Sequence, residues 1–103
     1  MCVNNTMVFQ WLNKQGVQSS DGFIVQCVGR FETEYRENGK VMTIGHESGV
    51  GGGKSLLLIS SGSFQRWDSD PKSSSLPKSE QERIFNNFKK AIEFQDMGID
   101  GRV

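Results

Sequence analysis

An α+β fold dominated by β-strands is predicted for this chain: a curved or sandwich-like antiparallel sheet with one C-terminal α-helix packed on it. Three observations predict it. Apolar and polar residues alternate with period two from Phe23 to Arg36, Asn38-Gly39 follows between two such runs, and the apolar spacing changes to 3.6 after Ser79. The 103 residues suffice for one domain, divided into a β-rich body (7–68), a linker (69–78) and a helix at about 80–97. Hydrophobic residues make up only 35% of the chain, yet they include seven Phe and two Trp. Few but large apolar side chains suit a thin sheet-based core better than a helical bundle.

Met7 to Leu12 is a short apolar and aromatic run, followed by turn residues at Asn13-Lys14-Gln15-Gly16 and again at Ser19-Ser20-Asp21-Gly22. From Phe23, the odd positions Phe23, Val25, Cys27, Gly29, Phe31, Thr33 and Tyr35 form the face expected to be buried. Gln26, Val28, Arg30, Glu32, Glu34 and Arg36 form the outer one. Gly29, with no side chain, marks a bulge or sharp bend within that run. Asn38-Gly39 favours a two-residue type I′ turn because both central positions need positive φ. That turn pairs Glu37 with Lys40 and, counting back, Tyr35 with Met42, Thr33 with Ile44 and Phe31 with His46. Turn chemistry and hydrophobic pattern therefore specify the same register.

His46 to Gly53 reads as a flexible glycine-rich loop. Lys54 to Ser60 reads as a central strand covered on both faces, because its apolar run does not alternate. Ser61-Gly62 turns the chain and Ser63 to Trp67 returns it as another strand. After the Ser-rich linker, Ser79-Glu80-Gln81-Glu82 has the form of a capping box, with Ser79 as N-cap. Ile84, Phe85, Phe88, Ala91, Ile92 and Gln95 make a helical apolar stripe. Gly98 suits the position just past the helix, and the tail from Ile99 is expected to fray.

Several chemistries are disfavoured. Twelve Lys+Arg balance twelve Asp+Glu, so the cationic excess that drives phosphate binding is missing and direct nucleic-acid binding is not expected. Ser48 to Ser55 resembles a phosphate-binding loop only superficially. Ser48 stands where the motif needs its first Gly, and a strand rather than a helix follows Lys54. His46 is the single histidine and Glu47 points to the opposite face of a strand, so they form no convincing acid–base pair. One His with Cys2 and Cys27 makes no metal-ligand cluster, and no cofactor or metal is expected. Met1 to Thr6 lacks the basic and apolar regions of a secretory signal, and Leu56 to Ile59 is far too short to span a bilayer. A cytoplasmic, non-enzymatic protein is expected.

The β-rich body, the stretch Ser63-Phe64-Gln65-Arg66-Trp67-Asp68 and the ending from Glu82 to Phe94 together resemble small bacterial immunity proteins. Those are encoded beside polymorphic and contact-dependent growth-inhibition toxins. The resemblance implies a cytoplasmic inhibitor that binds the C-terminal domain of a cognate toxin, a nuclease such as a ribonuclease, one to one, and covers its active site. Such clefts are cationic, so acidic groups around an aromatic anchor would steer and hold the toxin. Glu47 with Trp67, Asp68 and Asp70 is the first expected contact surface, and Glu32 with Glu34 the second. The alternative is a small-ligand-binding β-domain whose Phe and Trp residues line a cavity.

Overall fold

The computed structural model describes residues 8–59, 62–68 and 75–101. Seven strands and one helix follow in the order β1 (Phe9–Asn13), β2 (Gly16–Ser19), β3 (Phe23–Gly29), β4 (Glu32–Glu37), β5 (Lys40–Gly51), β6 (Lys54–Ile59), α1 (Lys78–Phe94) and β7 (Gly98–Asp100). Spatial order equals chain order, so the sheet is a meander that curls into a half-barrel around the helix. All pairs are antiparallel except β6 with β7, which is parallel because the helix carries the chain back before β7 joins.

The expected β4–β5 hairpin forms in the predicted register, with Glu37 opposite Lys40, Tyr35 opposite Met42 and Thr33 opposite Ile44. Asn38 and Gly39 take φ of 53° and 77°, as a type I′ turn requires. Inward positions of β3, β4 and β5 supply Phe23, Val25, Tyr35, Met42 and Ile44. The helix supplies Ile84, Phe88, Ala91 and Ile92, and all these side chains are buried in one core. Phe64 lies between the two layers, edge-on to Phe85 and Phe88 at 5.3 and 5.5 Å between ring centres. Polar ties add to the apolar seam. Arg83 of the helix donates to both carboxylate oxygens of Glu37 at 2.8 and 2.9 Å, and Asn87 donates to the Tyr35 hydroxyl at 3.0 Å. Burial, set against that hydrogen bond, pushes the Tyr35 phenol up to about 12.

Several local expectations are corrected. The run from Phe23 to Arg36 is two strands, not one, because the chain reverses at Arg30-Phe31 after a register shift between Cys27 and Gly29. Odd residues pair with odd across this turn, so the period-two pattern stays in phase and hides the reversal. Phe31, expected inside, sits in the turn and is 53% exposed. The glycine-rich segment from His46 is no loop: β5 continues to Gly51, and Gly52-Gly53, with φ of 60° and 81°, close a two-residue hairpin onto Lys54. β6 is covered on one face only, since Leu57 and Ile59 are buried and Leu58 is exposed. Ser63 to Trp67 forms no strand among the described residues.

The helix begins at Lys78 after Pro77, with no side-chain cap, rather than at about residue 80 with Ser79 as its N-cap. Its end is turned by Asp96, at φ 62°, and Gly98 opens β7 instead of closing the helix. The tail is therefore paired as far as Asp100. β2 was hidden between two clusters of turn residues. Cys2, Asp70 and the linker positions 69–74 lie outside the described residues.

Candidate functional site

Of the expected contact residues, three are already committed to the fold. The Asp68 carboxylate accepts the Thr43 backbone N–H at 2.9 Å and the Thr43 hydroxyl, while its own N–H donates to the Val41 carbonyl at 2.8 Å. It thus closes the edge of the first half of β5. Trp67 is half-buried, stacked on Tyr35 at 6.1 Å with the Lys40 ammonium 5.6 Å from its ring centre. Glu34 is held by Arg36 at 2.6 Å. The grouping of Glu47 with Trp67 and Asp68 is therefore corrected: Asp68 sits beside Thr43, four residues along the strand from Glu47, which is about 14 Å.

Glu32 and Glu47 do come together on the outer face. Glu32 pairs with Gly45, and Glu47 is the next outward residue of β5. A Cβ at Gly45 would meet nothing within 4 Å, so the backbone between the two carboxylates is bare. Phe31 and Leu58, 53% and 36% exposed, flank this strip. Together with Gly45, His46, Glu47 and Ile59 they line a shallow depression of about 550 Å³. Arg30 lies over the Phe31 ring at 5.7 Å. An exposed aromatic ring, an exposed aliphatic side chain and two carboxylates, both outward and exposed, make a surface suited to a basic partner. Phe31 and Leu58 escaped the sequence reading. The signal for Phe31 lies in Gly29, the bulge or sharp bend two residues before it.

The inner face carries a second feature. Where β3 and β4 turn away from the β5–β6 hairpin, a cavity of about 640 Å³ opens above the C-terminal end of the helix. Val28, Leu56, Leu57, Ile92 and Met97 give it apolar walls, with Cys27, Ser48 and Val50 at the sides; no Phe or Trp lines it. His46 is buried in its wall, with Nε2 2.9 Å from the Thr33 hydroxyl. Nδ1 is buried without a well-formed hydrogen bond. Burial holds the imidazole below its ordinary value, and the Glu47 backbone and the Glu32 charge offset this only in part, so the ring is neutral at pH 7.

Among the described residues no group of three or more His, Cys, Asp or Glu side chains could hold a metal ion, and no helix is long and apolar enough to cross a membrane. Ser48 to Ser55 is a β-hairpin without a helix after Lys54, the wrong geometry for cradling a phosphate. Comparison with known protein families, curated proteins and solved structures finds no match for this chain.

Proposed function

We propose that this protein is an inhibitor that binds the growth-inhibiting domain of a cognate toxin, a nuclease, and occludes its cationic active site. The observation that carries the reading is the outer strip of β4 and β5. Phe31 and Leu58 stand exposed beside Glu32 and Glu47, with bare backbone at Gly45 between the carboxylates. An apolar centre with an acidic rim is the usual composition of a surface that meets a basic partner. Overall neutrality is no obstacle, because the acid is local. The resemblance to immunity proteins supplies the toxin class, and cytoplasmic location follows from the same reading.

Co-expression with the growth-inhibiting domain encoded beside its gene tests this. The parent chain should protect the cell. The double substitution Glu32→Lys with Glu47→Lys should abolish protection and weaken binding at least 100-fold, with the urea unfolding midpoint unmoved. Protection by the doubly reversed variant would remove this surface, and the lack of any growth-inhibiting domain at the adjoining locus would remove the toxin. A second reading, a small-ligand-binding β-domain, is favoured by the inner cavity alone. Stoichiometric uptake of an apolar fluorescent probe would support it.

A further inference from the structure

β5 has neighbours on both flanks, but neither runs its full length. Its odd residues direct their backbone groups toward one flank: Val41 and Thr43 bond Asp68 there, and β6 takes over from Gly51 back to His46. Its even residues direct theirs toward β4, whose pairing stops at Glu32 opposite Gly45, followed by a last bond from the His46 N–H to the Phe31 carbonyl. Beyond that point β4 has turned away. The N–H and C=O groups of Ser48 and Val50 therefore face a lane that holds no strand among the described residues. Val50 is 81% exposed.

The lane is chemically two-sided. On the inner face, the side chains of Ser48 and Val50 border the 640 Å³ cavity that Leu57, Ile92 and Met97 also line. On the outer face, a residue placed opposite Glu47 would lie beside that carboxylate and in line with Glu32, the last outward residue of β4. Resting on the partner-binding reading above, we propose that an extended segment of the partner enters this lane as an antiparallel strand beside Glu47–Gly51 of β5. Its aliphatic residues alternate inward to the cavity, and its basic residues alternate outward to Glu47 and Glu32. The direction continues that of β4, and five residues of edge offer about 17 Å of pairing. Charge complementarity names the outward residues, cavity chemistry the inward ones, and the free backbone groups require an extended chain.

The test uses a short fluorescently labelled peptide of alternating lysine and valine. In this register the valines sit opposite Ser48 and Val50, so their amides point at β5 and the lysine amides point away. The unmodified peptide should bind saturably and slow amide hydrogen exchange at Ser48 and Val50. N-methylation of the valine amides should weaken binding by about tenfold or more, whereas N-methylation of the lysine amides leaves it nearly unchanged. Glu47→Lys should weaken it as well, and a glutamate–valine peptide should not bind. Equal binding by both N-methylated peptides, or no binding by the parent peptide, overturns the strand. If the peptide fails while co-expression still protects cells through Glu32 and Glu47, the strand proposal falls and the inhibitor reading stands.

Discussion

The chain's single histidine carries its pH dependence at the scale of one residue. His46 is buried against Thr33, and its imidazole is held below its ordinary value chiefly by burial. In the unfolded chain it protonates near pH 6.5. Between that pH and its lower folded value, the unfolded state binds more protons than the folded one, so stability falls as the solution is acidified through this window. Urea midpoints should decline from pH 7 to pH 5, and His46→Gln should flatten the decline while keeping a hydrogen-bonding group beside Thr33. An unchanged slope in the variant would place the acid sensitivity elsewhere. Tyr35 gives no signal in this range, because its buried phenol stays neutral far above it.

At the scale of elements, the start of the helix separates two readings of the same residues. A capping box at Ser79 would make Ser79→Ala cost about 1 kcal/mol. With the helix starting at Lys78 after Pro77, Ser79 is exposed inside the first turn and the same substitution should cost less than about 0.5 kcal/mol by thermal unfolding. Gln81 instead ties the entry, donating from its side chain to the Leu76 carbonyl at 2.8 Å. A loss near 1 kcal/mol at Ser79 would restore the box. The contrast shows what was legible in the residues. Asn38-Gly39 and the helical stripe from Ile84 to Ile92 rest on local chemistry that tertiary packing had no reason to override. The Arg30-Phe31 reversal was invisible because an odd-to-odd register preserves the alternation through it. The run of β5 to Gly51 was masked by glycines that serve its own tight turn. Of the site, Glu32 is readable as an outward strand carboxylate, whereas Glu47 falls in a segment that its glycines make look like a loop. Asp68 and Trp67 were not readable as structural, because the partners that claim them, Thr43 and Tyr35, lie 25 and 32 positions away along the chain.

On the scale of the whole molecule, the helix and the half-barrel share one core, so neither has a separate one to survive on. Phe88 is fully buried between Phe64 and the sheet, and the Arg83–Glu37 pair and the Asn87–Tyr35 hydrogen bond bridge the same layers. Truncating a buried Phe costs about 3–5 kcal/mol, a large part of the roughly 5–15 kcal/mol that holds a domain together. Phe88→Ala should therefore loosen sheet and helix together. Far-ultraviolet circular dichroism, which follows the helix, and fluorescence of Trp67, which is stacked on β4, should shift to the same lower urea midpoint. Two separated transitions, with the sheet outlasting the helix, would mean that the strands hold their curl unaided. The shared core also bears on binding, since Ile92 of the helix walls the cavity that Ser48 and Val50 border. A variant whose helix has detached should lose the peptide even with Ser48, Val50, Glu32 and Glu47 all in place.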